Sequence, residues 1–261
     1  MNKLELKNIS YFGKDKIIIK SFDCAIKKGD NLTILGGPAS GKTTLSKVFE
    51  NSIKYDGTYK INNIEISDVN KYNVDRYVSV INNEYIDNNK KIVDILFESL
   101  DEFAYGEDDK KDRIDEITKY FNIDYLDNKL NEVTKDKYYY IKIVISYLKM
   151  YDYIVLDNIL CYLNKKQIEK IYSYANERKI SIINITSNIK EVLYSNYSIY
   201  IYNGLIALEG DTLLCLKEEK IIRRLGFNLP FIYDLSLQLK YYNVIDDICL
   251  DERSLIDKIW N

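Results

Sequence analysis

The chain has 261 residues, 46% of them hydrophobic, and a formal net charge of −3. That is apolar material for one α/β domain with an appendage, and the acidic balance excludes a general nucleic-acid binder. There is no histidine, and Cys24, Cys161, Cys215 and Cys249 show neither metal-ligand nor C-x-x-C spacing, so reduced thiols in a cytosolic setting are expected. No signal peptide opens the chain and no apolar run approaches ~18 residues, so no membrane span is expected.

In chain order, Leu4 to Ser10 alternates apolar and polar residues and reads as a strand. Ile17 to Ile19 and Phe22 to Ile26 read as two further short strands. The turn Lys27-Lys28-Gly29-Asp30 leads into an apolar strand, Leu32 to Leu35, and then into G-G-P-A-S-G-K-T-T. This run fits G-x-x-x-x-G-K-[ST], with Gly36, Gly41, Lys42 and Thr43 in the fixed places and a helix-compatible run, Thr44 to Asn51, behind it. A strand before and a helix after are what a phosphate-cradling loop requires. Glycine lets the backbone approach an anion, and the free amides of the helix start point at it. Lys42 adds a mobile charge, and the Thr43 hydroxyl is a ligand suited to Mg²⁺. Nucleotide binding follows; hydrolysis is a separate question.

Asn62-Asn63 between two β-branched runs signals a hairpin, and Tyr77 to Ile81 another strand, closed by Asn82-Asn83-Glu84. A helical insert is expected over about 84–140, in acidic surroundings. Ile141, Val144, Ile145 and Leu148 have helical spacing. Tyr153 to Leu156 is a strand ending in Asp157, Ile168 to Asn176 a helix, and Ser181 to Ile185 a strand ending in Thr186-Ser187-Asn188. Asn203-Gly204 supplies the two positive-φ positions of a type I′ hairpin. Beyond Gly210 the pattern turns helical, divided by Pro230. The expected fold class is an α/β P-loop NTPase. It has a mainly parallel core sheet, an antiparallel β subdomain, a helical subdomain and a short C-terminal helical tail.

From Leu4 to about Glu209 the order of these parts resembles the ATP-binding subunit of ABC transporters. The segment Leu225 to Lys240, L-G-F-N-L-P-F-I-Y-D-L-S-L-Q-L-K, resembles the tail of the energy-coupling-factor (cobalt- and vitamin-type) ATPases. The resemblance implies a nucleotide-binding domain over residues 1–218 and a docking or dimerisation tail over 219–261. It implies ATP and Mg²⁺ as cofactors. Tyr11 would stack on adenine, and Gly36, Gly37, Pro38, Ala39, Ser40, Gly41, Lys42, Thr43 and Thr44 would hold the phosphates. Thr43, Asp157 and Asn82 would serve the metal. The implied partners are a second ABC-type ATPase subunit, in a homo- or heterodimer, a membrane coupling protein and a substrate-binding membrane subunit. No nucleic acid is implied, and the implied place is the cytoplasmic face of the cell membrane, as a peripheral subunit.

The departures from that family are as informative. Its Gln aligns with Asn82 or Asn83. Its L-S-G-G-Q loop aligns with Val133-Thr134-Lys135-Asp136-Lys137, which has no glycine. Its general-base Glu is Asn158, and its switch His is Ser187. A neutral amide cannot accept the proton that a carboxylate can. The expectation is therefore a transport ATPase subunit impaired in hydrolysis. A slow but active transport ATPase and a soluble ABC-type regulatory protein without a membrane partner stay open. For Tyr11 a core or surface role is the ordinary alternative, for Asn82 a strand-ending turn, and for Asp157 a strand-end cap. The acidic Asp101-Glu102 and Glu107-Asp108-Asp109 are either a solvated face or a contact for basic coupling helices.

Overall fold

The computed structural model describes residues 3–66, 72–85 and 88–260. The strands are β1 (Lys3–Phe12), β2 (Ile17–Lys27), β3 (Leu32–Gly36), β4 (Asp56–Ile61), β5 (Ile64–Glu65), β6 (Val78–Ile81), β7 (Tyr153–Asp157), β8 (Ser181–Thr186), β9 (Tyr197–Tyr202) and β10 (Leu205–Asp211). The helices are α1 (Lys42–Phe49), α2 (Tyr72–Tyr77), α3 (Ile92–Glu98), α4 (Glu107–Phe121), α5 (Lys135–Leu148), α6 (Lys165–Arg178), α7 (Thr212–Lys217), α8 (Glu219–Arg224), α9 (Phe231–Tyr241) and α10 (Glu252–Trp260). Among the described residues no helix is long and apolar enough to cross a membrane.

Two sheets form. The larger has the order β10-β9-β3-β8-β7-β6, parallel except for the edge strand β10; the smaller is the antiparallel β2-β1-β4-β5. Strands β3, β7 and β8 are buried along their whole length. Their unbroken apolar character is the mark of parallel strands covered on both faces. Strand β10 instead alternates exposed and half-buried residues, as an edge strand does.

Three apolar layers hold the parts together. Helices α3 to α6 close over one face of the large sheet, with Leu96, Ile117, Phe121, Val144, Ile154 and Ile171 in their core. The two sheets share a second core that includes Leu4, Phe22, Tyr59, Ile34, Phe49 and Val155. A third cluster seats the C-terminal helices on β3 and β9: Ile222, Leu229 and Tyr233 meet Leu35 and Tyr200.

The structure departs from the sequence pattern in three places. Ile17 to Lys27 is one strand, not two. Its polar middle is an irregularity in the β1–β2 register, where Ser21 sits at φ 48° and its N–H donates to the Ser10 hydroxyl at 2.9 Å. Tyr77 ends α2, so the next strand begins at Val78. The helix expected around Ile141 to Leu148 begins earlier, at Lys135. The hairpin at Asn203 (φ 50°) and Gly204 (φ 77°) has the expected backbone. The Gly204 carbonyl accepts the Lys20 N–H at 2.8 Å, joining the two sheets.

Candidate nucleotide-binding site

The site lies at the C-terminal rim of the large sheet, where β3 gives way to α1. Gly36 ends the strand, and a Cβ there would lie 2.6 Å from Ile201 Cγ1 and 3.1 Å from the Ile201 carbonyl, so no side chain fits. Gly41, at φ 104°, caps α1 in the left-handed region that glycine adopts without strain. No side chain caps that helix start, so its first N–H groups face the loop. Ala39, at φ 57°, takes the same left-handed region within the loop. The Ser40 hydroxyl is buried and has no hydrogen-bond partner among the described residues. Lys42 folds back over the loop, its Nζ donating to the carbonyls of Gly36 at 2.7 Å and Gly37 at 2.6 Å. Burial lowers its pKa, and Asp157 pulls it back up.

Strand pairing brings the remaining candidates to this rim. The parallel register pairs Leu35 with Thr186, Ile81 with Leu156, and Asp157 with Ile185. The segments after β6, β7 and β8 therefore emerge side by side next to the loop. A cavity of about 70 Å³ opens there, lined by Thr43, Ser46, Lys47, Glu50, Asn82, Asn83, Glu84, Asp157 and Asn158. Four of the sequence-predicted residues thus meet: Thr43, Asn82, Asp157 and Asn158. Ser187 is exposed just beyond β8, and Tyr11 is half-buried against the second core; neither is among the described residues lining this cavity. Phe12, next to Tyr11, is 59% exposed. A larger cavity, of about 240 Å³, sits at the opposite ends of β7 and β8 and contains none of the candidate residues.

Asp157 is 5% exposed. Burial raises its carboxyl pKa; the Ser46 hydroxyl, the Lys42 charge and the Asn158 amide oppose that rise. Asn158 is held at three points. Its N–H donates to the Ile185 carbonyl at 2.8 Å, its Nδ2 donates to Asp157 Oδ1 at 3.1 Å, and its carbonyl accepts the Cys161 thiol at 3.2 Å. Its backbone is left-handed, at φ 53°. Asn82 Oδ1 accepts the Glu84 N–H at 3.1 Å, and the Asn83 carbonyl accepts the Tyr139 hydroxyl at 3.0 Å. The cavity lining offers the carboxylates of Glu50, Glu84 and Asp157, the hydroxyls of Thr43 and Ser46, and the amide carbonyls of Asn82, Asn83 and Asn158. These are hard oxygens that fit Mg²⁺, an ion that keeps several of its waters and needs few protein ligands.

The segment Val133 to Lys137 opens α5, with Thr134 as N-cap. The Lys137 ammonium lies 4.4 Å from the Tyr125 ring centroid. For Asp136, burial pushes the carboxyl up but is outweighed by hydrogen bonds from Thr134, Lys137 and Gln167, which hold it below the usual value. Four cavity residues escaped the sequence reading: Ser46, Lys47, Glu50 and Glu84. Ser46 lies one helical turn beyond Thr43 on the same face, a spacing that could have marked it. Glu84 reaches the cavity only because β6 pairs with β7, which no local pattern reveals.

Comparison with known proteins agrees with this geometry. The sequence model described as "ABC transporter" matches residues 19–160. The energy-coupling factor transporter ATP-binding protein EcfA1 of Mesomycoplasma hyopneumoniae (strain 7448) is 25% identical over 258 residues, covering 94% of this chain and 92% of its own. That of Listeria monocytogenes serotype 4b (strain F2365) is 22% identical over 269 residues, covering 99% and 96%. Among solved structures, cbiO1 from Clostridium perfringens, part of the ABC transporter complex cbiONQ, superimposes with a TM-score of 0.72 at 21% identity, covering 89% of this chain and 97% of that one. The dimeric post-hydrolysis state of the ATP-binding cassette MJ0796, bound to ADP and Pi, gives 0.70 at 20% identity, covering 80% and 98%. The fold is thus the α/β P-loop fold of ABC ATPases, with its mainly parallel sheet and antiparallel β subdomain. With the family's sequence pattern spanning more than half of its length and the phosphate-loop geometry in place, this chain belongs to the ABC transporter family.

Proposed function

We propose that the chain is an ATP-binding subunit of an ABC-type membrane importer of the energy-coupling-factor kind. In this reading it binds ATP·Mg²⁺, pairs with a second ATPase subunit, and works beneath a membrane coupling protein and a substrate-binding membrane subunit. The observation that carries the reading is the meeting of the P-loop, Thr43 and Asp157 on one cavity at the sheet rim. The names of the EcfA1 relatives and of the cbiONQ structure support the transporter assignment, and the ADP-bound dimer supports the nucleotide and the pairing. The phosphates would lie along Gly36 to Thr44, with Mg²⁺ against Thr43, Asp157 and Asn82. Adenine would rest beside Tyr11, where Phe12 offers the exposed ring. Residues 1–218 would be the nucleotide-binding unit and 219–261 the docking tail.

Hydrolysis is impaired in this reading. Asn158 has no proton-accepting oxygen of carboxylate strength and spends one amide hydrogen on Asp157. Ser187 lacks an imidazole's reach, and Val133 to Lys137 lacks the glycines of the family loop. Lys42→Ala tests the binding assignment. ATP·Mg²⁺ affinity in a calorimetric titration is expected to fall by about tenfold or more. The fold is expected to persist, because the partners of the Lys42 ammonium among the described residues are the loop carbonyls of Gly36 and Gly37. An unchanged affinity would exclude the P-loop as the site.

A further inference from the structure

We propose that the cavity at the far end of the large sheet is a second ligand site, which takes a single-ring aromatic carboxylate. The inference goes beyond the nucleotide reading above and does not depend on it.

The cavity forms where the helical insert meets the sheet. Its lining comes from α4, the ends of α5 and α6, and the turn between β2 and β3. Its volume of about 240 Å³ exceeds the roughly 150 Å³ of a cavity that takes up benzene. Ile117, Tyr147, Leu148 and Ile180 are buried and make an apolar floor. The ring centroids of Tyr147 and Tyr174 lie 4.8 Å apart, and the Tyr147 hydroxyl donates to the Ile171 carbonyl at 2.8 Å, which holds this wall in place. A floor and wall of this kind accept an aromatic ring.

Charge at the rim selects the other end of the ligand. The lining holds three cations, Lys28, Arg113 and Arg178, and two carboxylates, Glu116 and Asp152. Arg178 pairs with Glu116 at 2.8 Å, and Lys28 pairs with Asp152. That leaves Arg113. Its guanidinium lies 4.1 Å from the Tyr105 ring centroid, and no carboxylate among the described residues closes an ion pair with it, although Asp109 and Asp112 border the adjoining hollow. Stacking on a ring leaves the in-plane N–H groups of a guanidinium to meet a carboxylate two at a time. One unpaired cation above an apolar floor complements a monoanion with an aromatic body. Strand β7, five residues and about 16 Å long, separates this cavity from the one beside the phosphate loop. A ligand here bridges the insert and the sheet, so it acts on how the insert is held and not on the phosphates.

The test is a titration of the full chain with benzoate, followed by the NMR signals of the ligand. Benzamide serves as the uncharged counterpart and acetate as the ringless one. Benzoate is expected to bind with a Kd of about 10⁻³ M or below, and the other two at least about tenfold more weakly. Arg113 is exposed, so Arg113→Gln should leave the melting temperature unchanged. It should weaken benzoate by ~10-fold or more, the scale of a hydrogen bond to a charged group, and leave benzamide as it was. Arg113→Lys, which keeps the charge without the fork, should fall between the two. Lys119→Gln removes a charge from the same helix away from the cavity and should bind benzoate as the parent does. The proposal is overturned if benzoate binds no more tightly than benzamide, or if Arg113→Gln binds it as tightly as the parent. It is equally overturned if the parent shows no benzoate binding at ~10⁻² M.

Discussion

At residue 158 the backbone sets a limit on how well a carboxylate side chain can be accommodated. Asn158 occupies the left-handed region, at φ 53°, where asparagine is among the few side chains that rest easily. A glutamate there is strained by roughly 1–2 kcal/mol. It also exchanges a hydrogen-bond donor to Asp157 for a like charge, which disfavours the ionised pair. Asn158→Glu is therefore expected to raise single-turnover hydrolysis by less than the ~10²-fold scale of a restored base. The Mg²⁺ concentration needed for half-maximal rate should rise as well. Rates measured across a Mg²⁺ titration check both effects. Adding L-S-G-G-Q over Val133 to Lys137 should give more than the product of the two single gains, since residues acting as one unit are non-additive.

Among the elements, the helical insert is held by rings rather than by aliphatic packing alone. Phe121 stacks on Tyr147 at 5.6 Å with 13° between the planes, and meets Tyr140 edge-on at 5.6 Å and Tyr174 at 5.2 Å. Phe121→Ala would open a cavity where α4, α5 and α6 converge. A loss of about 3–5 kcal/mol is expected, read as a lower denaturation midpoint with an unchanged slope. The same elements show what the sequence could and could not convey. The strands β3, β7 and β8 were legible because burial on both faces leaves an unbroken apolar run. The start of α5 was not, because Tyr138, Tyr139 and Tyr140 are all buried and three adjacent rings erase the 3.6-residue period. The irregularity in β2 was also hidden, since it depends on Asn8 and Ser10 across the ladder. In the site, the P-loop is a contiguous motif and could be read directly. Glu84 and Ser46 enter through strand register and helix facing, which exist only once the chain has folded.

For the whole molecule, the C-terminal segment divides into two parts with different duties. Ile222, Leu229 and Tyr233, with Leu237 and Ile248 against them, pack on Leu35 of β3 and Tyr200 of β9, so removing everything after Glu219 would bare Leu35 and Tyr200 and test stability rather than assembly. Beyond that, Ile245, Cys249 and Leu255 make a small core with Ile232, Leu235 and Leu239. Trp260 is 83% exposed and Ile256 55% exposed, on the outside of this part. If the tail docks on a partner subunit, the double change Ile256→Glu and Trp260→Glu should weaken assembly at least tenfold, about 1.4 kcal/mol. ATP affinity of the isolated chain should stay as it was. Sedimentation of the chain with its co-expressed partners measures the first, and calorimetry the second. Assembly as tight as the parent's would leave these side chains outside any interface.

The sheet order has a bearing on how the protein is born. Strand β3, which carries the phosphate loop, is flanked by β8 and β9, strands from the last third of the chain. A ribosome that has released the first 170 residues has delivered the loop sequence but neither of the strands that pin its base. Such distant pairings form late and slowly. ATP in the cell therefore has no finished cradle to stabilise while the chain is still growing. Its stabilising pull, which comes only from binding the folded form, begins once the residues up to Tyr202 are free. Quality control of nascent chains must carry this protein through most of its synthesis without help from its own ligand.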